Sequence, residues 1–355
     1  MNAQFLQSIR ANALGPTARA HIDLSNSLLR PRDLENFVKA IQKNIAKNPE
    51  ILCPILTINM TGNEICGVDR LDEGEFDHRG LKLLATTLVQ RSKVFKLRKL
   101  TLSGNRLDKR GFGLVATLLA GNHSITDIFL RDCGADDECI EAFIDSIEKS
   151  KGLVNVDLSF NPLELRGATF ISRQLRSLKR LKSLDLSSCR FGAAGIRLIC
   201  EGMVGNSTIQ VLILLNNEAG DEGAAAIGIM LRENSSLAHL DIQSNKISSV
   251  GACLIGDGLM GNKTLIGLGL QWNDIGPQGG QHIATCIRDN TTLKSLYVFG
   301  NRIDEETAGI LVSSPVGGPL DIDVKYKPMP RRREASPIAA EMQSPSPLPI
   351  DEEES

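Results

Sequence analysis

Leu237-Ala238-His239-Leu240-Asp241-Ile242-Gln243-Ser244-Asn245-Lys246-Ile247 reads as L-x-x-L-x-L-x-x-N-x-L. Leu240 and Ile242 alternate with polar neighbours, the period of a strand with one buried face. The same pattern stands at Leu97 to Leu107, and its ninth position recurs at Asn105, Cys133, Asn161, Cys189, Asn217, Asn245, Asn273 and Asn301, each 28 residues after the last. A pattern of this length returning in fixed phase does not arise from composition. The chain is a repeat array.

After the ninth position the period changes. Gly111, Leu114, Val115, Leu118 and Leu119 in one unit, and Gly223, Ala226, Ile227, Met230 and Leu231 in another, recur at helical spacing. Each unit is therefore strand, turn, helix, and neither element can bury its apolar face alone. Side-by-side stacking supplies the missing surface, with strands about 4.8 Å apart and helices roughly 10 Å apart. The stack must curve, strands inside and helices outside. Small residues at the helix starts (Gly111, Gly167, Gly195, Gly223, Gly251, Gly279) suit the narrow part of that wedge, where alanine is expected to serve as well as glycine. The Asn or Cys of the series points inward, where an amide can tie together the backbone groups of adjacent turns. Cys133 and Cys189 offer that ladder only a weak donor.

This pattern, together with Asp221-Glu222-Gly223-Ala224-Ala225-Ala226-Ile227-Gly228 leading to Leu237, resembles the ribonuclease-inhibitor-like class of leucine-rich repeats. That class includes ribonuclease inhibitor, the sensor arrays of NOD-like receptors and the Ran GTPase-activating protein. The resemblance implies an α/β fold, a right-handed solenoid or horseshoe with parallel strands on the concave face and helices on the convex one, and a protein-binding role.

The ends are irregular. Residues 1–20 read as an N-terminal capping helix, 21–326 as a repeat domain of about ten units, and 327–355 as a disordered Pro/Ser-rich tail with an acidic end. His21 to Asn26 and Leu56 to Asn63 look like two further strands out of the 28-residue phase. The surplus after Asn63 falls in an acidic stretch near 64–77, which lacks the spacing of an EF-hand calcium loop and reads as a solvated insertion. Residues 320–326 read as a last, capping strand. In the tail, Arg331 to Ser336 resembles a basophilic kinase site, and Ser344-Pro345 and Ser346-Pro347 resemble proline-directed ones.

Forty basic against 42 acidic side chains give no electrostatic reason for nucleic-acid binding. No apolar run approaches the roughly 18 residues of a membrane span, and Met1 to Leu14 lacks the features of a signal peptide. The expectation is a cytoplasmic monomer, with nuclear or cytoskeletal association open. Eight cysteines without a C-x-x-C pair read as reduced thiols. Asn122, Asn206, Asn234, Asn262 and Asn290 each begin N-x-S/T, but one falls in each unit between helix end and strand start. They read as turn residues, Asn taking a left-handed conformation and the hydroxyl capping it, rather than as glycosylation acceptors.

No nucleophile elbow, phosphate-binding loop or H-E-x-x-H is present, and His21, His78, His123, His239 and His282 fall in separate units without suggesting a ligand set. Catalytic residue, cofactor and metal are accordingly not expected. The informative surface is the concave one. Its fifth pattern position reads Thr101, Phe129, Asp157, Asp185, Ile213, Asp241, Gly269 and Tyr297. Val211, Ile213 and Leu215 turn three apolar residues outward in one unit, while Trp272, Tyr297 and Phe299 add aromatic area near the C-terminal end. With Arg131 and Gln271, these form a candidate partner-binding face of apolar anchors ringed by charge. The partner is expected to be a protein of a cytoskeletal, ciliary or signalling assembly. The alternative is a small GTPase, the chain then acting as an activator similar to the Ran GTPase-activating protein, on the strength of Asn273-Asp274-Ile275-Gly276-Pro277-Gln278-Gly279.

Overall fold

Each alternating run becomes a strand of only three residues, because the turn at the ninth position ends it. The computed structural model describes residues 21–47, 55–67, 76–313 and 321–323. Within them the strands are β1 (His21–Asp23), β2 (Thr57–Asn59), β3 (Lys99–Thr101), β4 (Asp127–Phe129), β5 (Asn155–Asp157), β6 (Ser183–Asp185), β7 (Val211–Ile213), β8 (His239–Asp241), β9 (Gly267–Gly269), β10 (Ser295–Tyr297) and β11 (Asp321–Asp323). They form one parallel sheet in sequence order. Helices such as Gly192–Val204, Gly220–Glu233 and Ser249–Gly261 connect successive strands and pack on one another. The fold is an α/β leucine-rich repeat solenoid. The proposed capping helix, the tail with its serine motifs, and most of the acidic insertion lie outside the described residues.

The sheet register aligns the fifth positions into one row: Thr101 pairs with Phe129, Phe129 with Asp157, Asp157 with Asp185, Asp185 with Ile213, and Ile213 with Asp241. The two N-terminal strands, out of phase in sequence, join the same row through Asp23, Asn59 and Thr101. Strand pairing keeps the register across these longer connections.

The main core lies between sheet and helices, lined by residues such as Leu184, Leu186, Ile196, Ile199, Leu212 and Leu214. Two asparagine ladders close its ends. At the strand ends, Asn245 donates from Nδ2 to the Leu214 carbonyl (2.9 Å), and its Oδ1 accepts from the backbone N–H groups of Asn217 (3.0 Å) and Ala219 (3.2 Å). Its own N–H donates to Asn273 Oδ1 at 2.8 Å, which passes the chain to the next unit. Asn63 does the same for Ser27 and Leu29, one unit earlier than the 28-residue series begins. Where Cys133 stands the amide oxygen is missing, and the Leu107 N–H goes to the Cys133 carbonyl instead (2.8 Å). The thiol donates to the Leu102 carbonyl at 3.3 Å. Burial pushes that thiol up to about 12, so it keeps its proton.

The second ladder uses the N-x-S/T residues. Asn122, Asn206, Asn234, Asn262 and Asn290 are buried, and each donates from Nδ2 to a backbone carbonyl of the preceding unit. The Oδ1 of Asn234 accepts from the N–H groups of Ser236 and Leu237. This corrects the left-handed reading of these residues: Asn122, Asn234 and Asn262 are extended, with φ of −116°, −80° and −74°. Their chemistry is a backbone bridge between units. The glycine reading also changes. An added Cβ at Gly279 would stand 2.8 Å from Ser249 Cα of the neighbouring helix, and at Gly223 2.8 Å from Ala219 Cβ. Alanine does not fit there.

Candidate protein-binding face

The strand ends present the fifth-position row to the inside of the curve, and the row is crowded. Phe129 is 1% exposed and Ile213 is 3% exposed, and the two form a second apolar cluster with the half-buried Val211 and Leu215. Asp157 and Asp185 hold the same register on the two strands between them. The expectation that these outward positions face solvent is corrected at Phe129, Asp157, Asp185, Ile213, Asp241 and Gln271, all of them buried. Strands about 4.8 Å apart on a concave surface bring neighbouring side chains together above the sheet, so pointing outward does not mean reaching water.

The aspartates have a local structural task that strand periodicity does not reveal. Asp185 Oδ1 accepts from the Ser187 N–H (2.9 Å) and hydroxyl (2.6 Å), and Asp157 holds Ser159 in the same way. Asp241 accepts from the Gln243 N–H at 3.0 Å, and Asp23 and Asn59 repeat the arrangement with Ser25 and Thr61. Each side chain caps the turn that ends its own strand. Burial first, and then the neighbouring Asp157 carboxylate, push Asp185 up to about 7. Burial pushes Asp241 up to about 6. Burial thus favours the protonated form of these two side chains.

Further along the sheet, Trp272 is 53% exposed and stands edge-on to the half-buried Phe299, with ring centroids 5.0 Å apart. Tyr297 is also half-buried, while Arg131 is exposed. Gln271 Oε1 and Asp241 Oδ1 each lie 2.9 Å from where a side chain on Gly269 would begin, so the two acceptors close in over that glycine. The backbone of Trp272 is left-handed, φ 53°. Ser188, Asn216 and Ser244 hold the corresponding place in other units, with Gly104 and Gly300 at the ends. Small or glycine residues suit that conformation, and a bulky side chain costs roughly 1–2 kcal/mol there. Phe160 is the other bulky occupant, also left-handed at φ 59° and 36% exposed. The Arg131 guanidinium lies 3.8 Å from its ring centroid. Sequence reading passed over Phe160, although its place before Asn161 in the pattern marked it as an aromatic at a turn position.

On the outer face, His282 meets Asp257 and Cys286, a grouping the scattered histidines did not suggest. Among the described residues no disulfide is formed, and no helix is long and apolar enough to cross a membrane.

The Leucine Rich repeat family pattern matches residues 179–200, 233–255 and 261–284. Ribonuclease inhibitor of Sus scrofa is 29% identical over 130 residues, 36% of this chain and 28% of that protein. The repeats are leucine-rich repeats of the ribonuclease-inhibitor type. Leucine-rich repeat-containing protein 45 of Gallus gallus is 27% identical over 136 residues, 38% of this chain and 20% of that protein. The matches thus span less than a third of either relative. Among solved structures, the actin-binding site 2 of leiomodin-1 matches at 24% identity over 40% of this chain and 86% of its own, with a TM-score of 0.35; a superposition at that score bears on no functional point.

Proposed function

We propose that this leucine-rich repeat array is a non-enzymatic binding module that takes a protein partner on its concave strand face. The observation that carries the reading is Trp272, a large aromatic held half-exposed at a backbone position that favours glycine. Backbone strain at an exposed aromatic is a pointer to function, because stability alone would select a small residue there. Tryptophan is also one of the residue types enriched among the hot spots of protein interfaces. The partner fitting this face offers an apolar side chain to Trp272 and Phe299. The free, mostly buried thiols of the described residues suit a reducing compartment, and a cytoplasmic setting is part of the same proposal.

The test is recovery of a partner from the native cell with the wild-type chain, followed by measurement of its affinity for Trp272→Gly. Glycine relieves the strained φ, so the fold should persist while affinity falls at least about ten-fold, the loss expected of an interface anchor. Unchanged affinity would move the site away from the concave face.

A further inference from the structure

On the helical face, Asp257 of the helix Ser249–Gly261 and His282 and Cys286 of the helix Pro277–Ile287 bring an oxygen, a nitrogen and a sulfur within 4.8 Å of one another. His282 and Cys286 are one helical turn apart and so share a face. His282 Nε2 lies 2.7 Å from Asp257 Oδ1. Cys253, one turn before Asp257, is near enough to affect Cys286: burial, then the charges of Asp257 and Cys253, push the Cys286 thiol up to about 11. Gly256 sits beneath the group, and a Cβ there would stand 3.2 Å from both Cys286 Sγ and His282 Cδ2. The glycine leaves room for these two side chains to lean onto the neighbouring helix.

We propose that Asp257, His282 and Cys286 form a Zn2+ site whose fourth coordination position opens to solvent. The donor set decides the ion. Calcium and magnesium take oxygen ligands, whereas one thiolate, one imidazole and one carboxylate suit zinc. Tetrahedral bonds of about 2.0–2.3 Å place ligand atoms roughly 3.3–3.8 Å apart. Donors already within 4.8 Å reach that geometry through side-chain rotation, the His282–Asp257 hydrogen bond opening as both turn to the ion. Asp257 is exposed and His282 partly so, which gives the ion a path from solvent. On binding, Cys286 gives up its thiol proton to solvent.

The experiment titrates the metal-free full-length chain with Co2+ and then displaces it with Zn2+. One equivalent of Co2+ should bind with a thiolate-to-cobalt charge-transfer band that Zn2+ abolishes. Asp257→Asn and His282→Ala, at accessible positions, should each weaken binding by at least about ten-fold, since even outer-shell losses cost that much. Cys286→Ser should remove the charge-transfer band with the circular dichroism unchanged. Absence of stoichiometric binding in the wild-type chain, or a charge-transfer band that survives Cys286→Ser, overturns the assignment.

Discussion

The inner and outer faces of this solenoid are made by the same 28-residue unit, yet they treat outward-pointing residues in opposite ways. On the inner face, Ile213 and Asp185 point away from the main core and are still buried, at 3% and 4% exposure. On the outer face, Val250, Ile229 and Met260 sit on helices and remain 63%, 49% and 57% exposed. The difference follows from spacing. Strands repeat at about 4.8 Å and helices at roughly 10 Å, so side chains converge inside and diverge outside. A residue's face is set by its unit, but its contact with water is set by curvature, a property of the whole stack.

The sharpest way to break this comparison is to place one charge on each face. Ile213→Glu puts a carboxylate into the buried cluster between Asp185 and Asp241, and urea unfolding should show a loss of about 3–5 kcal/mol, as for an uncompensated buried charge. Ile229→Glu on the outer face should leave the unfolding midpoint almost unmoved. Equal losses would show that the inner row is not closed to water. Next in size are the groups that hold the units together. Asn245→Ala leaves two backbone N–H groups without their acceptor and should cost about 1–3 kcal/mol, whereas Lys246→Ala beside it removes only an exposed ion pair with Glu218 and should leave the melting temperature nearly unchanged. Gly279→Ala, which presses a methyl group onto Ser249 Cα, should cost about 1–3 kcal/mol.

The pH dependence has a definite sign. Asp185 and Asp241 are raised in the folded state, to about 7 and about 6, above the 3.8 of a free aspartate. The folded chain therefore holds these protons more tightly than the unfolded one. Their contribution to stability is full below about pH 4 and is lost as pH rises through 6 and 7. Asp185→Asn should flatten that decline in a series of melts across this range. An unaltered slope would mean that Asp185 is hydrated.

The strand and helix of each unit and the Asn ladder from 105 to 301 were legible in the sequence, because each rests on local periodicity. What escaped had a non-local cause. Asn63 lies 42 residues before Asn105, so fixed spacing hid its ladder role, and only the paired strands reveal it. The burial of Phe129 and Ile213 depends on curvature summed over several units. The tight approach at Gly279 depends on a neighbouring helix 30 residues away in sequence. At the candidate site, Trp272 was legible as an aromatic in an outward place. Its strain, and that of Phe160, was not, because φ is read from the turn and not from the residue type.

The central claim is that partner binding belongs to the inner face. A photo-crosslinking phenylalanine analogue placed at 272 and, in a second chain, at 229 tests it directly, because both positions are exposed and one lies on each face. Irradiation in native extract should give a discrete covalent adduct from position 272 and none from position 229. An adduct of equal yield from both, or from 229 alone, would contradict the account.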